Sequence, residues 1–141
     1  MQLRYLKEGA RHTLYAIMQG DDIGEYLEQL EQNNTQAHAQ INRRLEQLVC
    51  RGPSRNRDEF RDLGNGLYEA KAKAGPRVIF FYDRNQIVIC SHAFDKQGQK
   101  TPPREIAKAD VRMGKYFEHK RARLKFDILV AKGKKPPERQ P

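Results

Sequence analysis

Lys71, Lys73 and Arg77 stand close together in the chain, and the pattern around them directs all three toward one surface. Alternation over residues 67–73 sends Glu69, Lys71 and Lys73 to one side of a strand and Tyr68, Ala70 and Ala72 to the other. Ala74-Gly75-Pro76 is a turn signal, and Arg77 then opens a segment, 77–82, whose β-branched and aromatic content suits a buried central strand. The three cations therefore converge across a hairpin. Crowded like charges lower the pKa of an amine, so one lysine can act as a base while Arg77, which stays charged, holds an anion such as phosphate. Lysines on an edge strand also discourage strand-to-strand aggregation, and on residue type alone that blander reading is the favoured one.

The third strand of the meander, 87–94, begins apolar and turns polar at His92, as a strand does on leaving a core for a cleft. A single histidine there is a candidate acid, although lone histidines are more often hydrogen-bonded core residues. Lys96 lies in the following loop. Thr101 is placed to cap a helix with Pro102 in its first turn and Glu105 near the positive end of its dipole. Such a helix start, flanked by Lys100 and Arg104, suits phosphate contact but is equally an ordinary helix N-terminus. Further on, Lys120, Arg121, Arg123 and Lys125 form a basic run that reads either as a solvated helix face or as a surface for an acidic partner.

The rest of the chain has to carry this hairpin. Thr13–Met18 reads as a short apolar strand, and Asp22 with Glu25 forms a capping-box pattern for an amphipathic helix carrying Ile23, Tyr26, Leu27 and Leu30. Asn33-Asn34-Thr35 breaks it and caps a second helix, with Ala37, Ile41, Leu45, Leu48 and Val49 on one stripe and Arg51-Gly52-Pro53 as the stop. Two helices joined by so short a break form a hairpin whose apolar stripe needs a sheet face. Residues 54–62 read as a polar loop anchored by Phe60, and Asp83-Arg84-Asn85-Gln86 as a turn. After Pro103 a helical period runs through Ile106, Ala109, Met113, Tyr116, Phe117, Leu124 and Ile128, with Gly114 a weak point costing about 1 kcal/mol relative to alanine.

With 141 residues, one domain is expected, and 38% hydrophobic content argues against global disorder. The net charge of +9 calls for an acidic partner, whether nucleic acid, anionic membrane or acidic protein. Cys50 and Cys90 have no metal-ligand spacing and read as reduced core thiols, and no run approaches a membrane span, so a soluble cytoplasmic protein is expected. Residues 1–12, which fit a strand, a frayed helix or an arm, are assigned as an N-terminal arm. The domain covers 13–132, and prolines with basic residues make 133–141 a disordered tail.

Ordered pieces of the chain resemble the RelE/ParE superfamily of toxins, in its phage-derived, HigB-like branch. They are Leu63-Gly64-Asn65-Gly66-Leu67-Tyr68-Glu69, Arg77 opening an apolar strand that ends in Tyr82-Asp83, His92-Ala93-Phe94 with Lys96, and Lys100-Thr101-Pro102-Pro103-Arg104-Glu105-Ile106 before a helix. The resemblance implies an α+β fold: a small antiparallel sheet with an N-terminal helical hairpin on one face and a C-terminal helix. It implies the toxin of a type II toxin–antitoxin system, a ribosome-dependent endoribonuclease needing no cofactor. Its partners would be messenger RNA, the ribosome and a cognate antitoxin of helix-turn-helix type, with no membrane. Lys71, Lys73, Arg77, His92 and Lys96 would be catalytic; Glu69, Lys100, Arg104, Lys120 and Arg121 would contact RNA. Glu69 departs from the RelE pattern, where a basic residue is usual, and could be the base or pair with Lys71. Gln97 stands where RelE has a second catalytic arginine, leaving the acid as His92 or Lys96. A ParE-like inhibitor of DNA gyrase and a non-catalytic phage-derived nucleic-acid-binding protein are the competing readings.

Overall fold

The sheet is built outward from its most apolar strands. A computed structural model describes residues 1–84 and 86–141, so only Asn85 of the expected turn lies outside the described residues. The strands β1 (Gln2–Glu8), β2 (Thr13–Met18), β3 (Phe60–Gly64), β4 (Leu67–Lys71), β5 (Pro76–Asp83), β6 (Ile87–Asp95) and β7 (Asp127–Leu129) form one sheet in the order β3-β4-β5-β6-β2-β1-β7. β5 and β6, the strands richest in Val, Ile and Phe, sit near the middle and are covered on both faces. Neighbours pair antiparallel except β2 with β6 and β1 with β7.

Each face has its own core. Helices α1 (Ile23–Asn33) and α2 (Thr35–Arg51) cover one face, burying Ile41, Leu45, Leu48 and Val49 against Ala70, Ala72, Val78, Phe80 and Val88. Helix α3 (Pro103–Arg121) covers the other, with Ala109 and Tyr116 against Tyr15, Ile79, Phe81 and Ile89. Alternation within a strand thus feeds two opposed layers. Asp22 caps α1 by accepting from the Gly24 N–H at 2.8 Å, and Asn34 caps α2 by accepting from the Ala37 N–H at 3.1 Å. Caps of this kind contribute about 1 kcal/mol each. Gly52, with φ of 86°, ends α2 in a conformation that side chains disfavour. The expected α+β architecture is present, and no helix among the described residues is long and apolar enough to cross a membrane.

Four local expectations are corrected. Residues 2–8 are not an arm but a full strand, with Leu3 fully buried. The polar segment before β4 includes an edge strand, β3, held by backbone pairing from Phe60↔Ala70 to Gly64↔Leu67. Helix α3 stops at Arg121, because Arg123 takes a φ of 57°, and Ile128 lies in β7 beside Leu3. The tail is docked rather than free. The Glu8 carboxylate accepts the Glu138 and Arg139 N–H groups at 3.1 Å each, and Arg139 reaches Gly9 O at 2.9 Å and Ala10 O at 3.0 Å.

Candidate functional site

At one end of the central strands the hairpin turn, the loop after β6 and the flank of α2 enclose an open recess. Lys71 ends β4 opposite Arg77, and Arg77 lies opposite Phe94, two residues short of Lys96. Lys71, Lys73, Arg77 and Lys96 line a recess of about 390 Å³ together with Arg44, Asn56, Asp58 and Glu59. None of the four cations is in an ion pair among the described residues, although Asp58 and Glu59 line the same recess and Lys71 Nζ donates to Arg57 O at 3.3 Å.

The turn carrying these residues is braced. The Gly75 N–H donates to Ala72 O at 3.0 Å, the Lys96 N–H to Gly75 O at 2.9 Å, and the Lys71 N–H to Glu59 O at 2.8 Å. From α2, Arg44 Nε donates to Lys71 O at 3.0 Å, while Gln40 Oε1 accepts the Ala74 N–H at 2.7 Å. Arg77 is 9% exposed, and its Nη1 donates to Ala72 O at 2.6 Å and Pro76 O at 3.0 Å. Burial pulls its pKa below the usual arginine value, opposed by the Glu69 carboxylate, and an arginine so placed still carries its charge. Nε and Nη2 have no protein partner among the described residues, which leaves one edge of the guanidinium for an anion.

The remaining sequence candidates fall into three places. Glu69 is 2% exposed and accepts from Thr101 Oγ1 at 2.9 Å, so it lies beneath the surface on which RNA contact was expected, and Thr101 is drawn from the helix cap to this bond. Lys100 shares a small cleft with Arg77 and Lys96, and nearby Arg104 is exposed, bonding Gln97 through Nη2 at 2.5 Å. Lys120 pairs with Asp83 at 2.7 Å. Asp83 ends β5 six residues beyond Arg77, a span of roughly 20 Å, so Lys120 sits outside the recess and Arg121 follows it in the chain.

His92 does not reach the cleft. It is 1% exposed, with Ser91 Oγ at 2.9 Å from Nδ1 and Glu105 Oε1 at 3.1 Å from Nε2. Burial and the nearby Lys108 and Arg112 lower its pKa against the opposing pull of Glu105, so the neutral ring is favoured. Its bond to Glu105 ties the first turn of α3 to β6. Arg112, also buried, bonds Asp21 at 2.8 Å, Ser91 O at 2.7 Å and Gln19 O at 2.8 Å from the same helix.

Two residues of the recess carry no sequence signal. Arg44 reads as a solvated position of α2, and Glu59 as part of a polar loop, until packing brings α2 over the β4–β5 turn. Glu59 accepts from Ser54 Oγ at 2.7 Å and lies 3.7 Å from Arg44.

The comparison with protein families covers this whole region. A family model described as "Phage derived protein Gp49-like (DUF891)" matches residues 22–114. The chain belongs to that family. The match runs from the α1 cap into α3 and contains every residue lining the recess. Gp49-like proteins are associated with RelE-like toxins of toxin–antitoxin systems. No curated protein matches the chain.

Proposed function

We propose that this Gp49-like protein is the toxin of a type II toxin–antitoxin system and a ribosome-dependent endoribonuclease of the HigB-like branch, acting on messenger RNA. The observation that supports this most is the convergence of Lys71, Lys73, Arg77 and Lys96 on one recess, within a family associated with such toxins. A pentacoordinate phosphate gathers negative charge, and preorganised cations stabilise it without reorganising during the reaction.

In this reading the RNA 2′-hydroxyl attacks the adjacent phosphorus and loses its proton to the neutral amine form of Lys71 or Lys73. Arg77 holds the phosphate oxygens through its unoccupied edge. Lys96, at the lip of the recess, gives a proton to the leaving 5′-oxygen, the role from which burial removes His92. The products are a 2′,3′-cyclic phosphate and a 5′-hydroxyl end. Lys100 and Arg104 at the start of α3 would follow the strand backbone.

The test is single-turnover cleavage of message on programmed ribosomes, with transcript ends mapped after brief expression in cells. Cleavage with arrested growth is expected, relieved by a small antitoxin. Sustained normal growth with intact message at high soluble expression would refute the reading. One observation favours a non-catalytic RNA-binding protein: Arg77 already spends Nη1 on the turn, as a purely structural arginine does. That protein would bind RNA and leave message on ribosomes intact, whereas a gyrase inhibitor would accumulate DNA breaks.

A further inference from the structure

Toward the far end of β5 from the cationic recess, a hollow of about 380 Å³ opens between the end of α3, β7 and the C-terminal segment. Its wall mixes charge with apolar surface: Lys120, Arg123 and Lys125 stand around Leu124, Phe126 and Ile128, and Gln140 and Pro141 close one side. No carboxylate side chain lines it among the described residues. Asp83 pairs with Lys120 at 2.7 Å and Asp127 accepts from Gln2 Nε2 at 3.2 Å, whereas Arg123 and Lys125 are exposed and in no ion pair among the described residues. The rim is held by its own bonds. The Arg123 N–H donates to Lys120 O at 2.9 Å and the Leu124 N–H to His119 O at 3.3 Å, the paired bonds that close a helix through a left-handed residue. Glycine is usual at that residue, but here it is Arg123, with φ of 57°. His119 Nε2 donates to Lys125 O at 2.9 Å and fixes the chain beyond the turn.

We infer that this hollow docks an acidic segment of a partner protein, seating one aliphatic side chain of that segment against Leu124 and Ile128 and its carboxylates on Arg123 and Lys125. Cations in the last turn of a helix balance its dipole, which accounts for Lys120 and Arg121, but Arg123 and Lys125 lie beyond that turn. Leu124, between them in the chain, is 58% exposed. A phosphate backbone would use the cations and leave this leucine idle. The rings of Tyr116 and His119 already lie against Phe126, with 5.0 and 4.5 Å between centroids, which leaves Leu124 and Ile128 as the free apolar wall rather than a platform for a base. A segment with carboxylates around an aliphatic anchor uses both halves of the hollow: the anchor sheds water, and the charges steer and orient the encounter. The hollow is lined only by residues between 120 and 141, outside the 22–114 span that matches the Gp49-like family, so the docking belongs to this chain's own C-terminal region. It does not depend on the proposed nuclease activity.

The experiment measures fluorescence anisotropy of the full chain with a short labelled peptide of glutamates around a central leucine. A copy of the peptide with serine in place of that leucine, and a labelled single-stranded RNA, are run beside it. The leucine peptide is expected to bind about tenfold tighter than the serine copy, the effect of burying one aliphatic side chain. Leu124→Ser should lower its affinity by a similar factor and leave RNA affinity unchanged. Arg123→Gly, which suits a left-handed position, should weaken the peptide while leaving Tm unchanged or higher, a combination that misfolding does not produce. Arg77→Ala, in the other recess, should leave peptide affinity as it is. A wild-type protein that does not bind the leucine peptide, or that binds both peptides equally, overturns the inference, as does binding that survives Arg123→Gly combined with Leu124→Ser. Loss of RNA affinity in Arg123→Gly with Lys125→Gln, without any change for the peptide, overturns it too and assigns the hollow to nucleic acid.

Discussion

Replacing Arg77 by alanine separates charge stabilisation from scaffolding. Two hydrogen bonds from a charged group, to Ala72 O and Pro76 O, are lost. Bonds of this class contribute about 1.5–3 kcal/mol each, but neither carbonyl is orphaned. Ala72 O keeps the Gly75 N–H and Pro76 O keeps the Ala72 N–H, each at 3.0 Å. Removing a buried charge also recovers part of its desolvation cost. The net loss should be about 2 kcal/mol, or roughly 5–10 °C in Tm for a domain of this size. The protein therefore stays folded at 25 °C, and the kinetic effect can be read cleanly. Single-turnover cleavage on programmed ribosomes should fall by roughly 10²–10³, as when one transition-state donor is removed. Arg77→Lys should recover only part of the rate, because an ammonium cannot make the planar two-point contact. Full activity in folded Arg77→Ala would remove the residue from the mechanism. Inactivity with a collapse of Tm beyond about 15 °C would make the residue structural.

Deleting residues 133–141 should lower Tm measurably, since it strips the Glu8 carboxylate of two N–H donors and removes the Arg139 bonds; an unchanged melt would show that the docked tail contributes nothing. His92 has a lowered pKa, so below the ordinary histidine value of 6.5 the unfolded chain takes a proton that the folded one refuses, and stability should fall as pH drops from 7 toward 5. His92→Gln should flatten Tm across that window in a melt series. Burial raises the pKa of Asp83, but Lys120, Tyr116 and the Arg84 N–H outweigh it and hold the carboxyl below its ordinary 3.8. Its contribution is thus complete above that value and lost as pH falls through the lowered one; Asp83→Asn should cost about 1–3 kcal/mol at neutral pH and blunt acid unfolding.

The parts of the fold legible in the sequence are those specified by neighbours in the chain. The helical hairpin needs only period and caps, and Ala37, Ile41, Leu45, Leu48 and Val49 are all buried on α2 as their spacing implies. Strand β7 was hidden for the opposite reason. Leu124 and Ile128 fit a helical period, but residues 127–129 are strand because Gln2–Arg4 offers them hydrogen bonds from the other end of the chain. The tail has the composition of disorder, yet the Glu8 carboxylate and the Gly9 and Ala10 carbonyls, far away in the chain, hold it. At the site, Lys71, Lys73 and Arg77 share one hairpin, so their proximity is local and readable. Arg44 and Glu59 join them only when α2 packs over that hairpin. The polar end of β6 pointed to a cleft for His92, but α3 covers it, and Glu105 satisfies the ring there.

The two helical layers do different work for the recess. On one face α2 grips the hairpin turn directly through Arg44 and Gln40, fixing where Lys71, Lys73 and Arg77 stand. On the other, Glu105 and Arg112 of α3 hold β6 and the β2–α1 junction, which fixes where the loop carrying Lys96 and Lys100 leaves the sheet. The carbonyl bonds to Arg77 and the backbone bonds of the turn hold these cations in place in the folded state. A phosphate entering the recess would then meet donors already placed, the condition under which fixed charge is most effective on a developing negative centre.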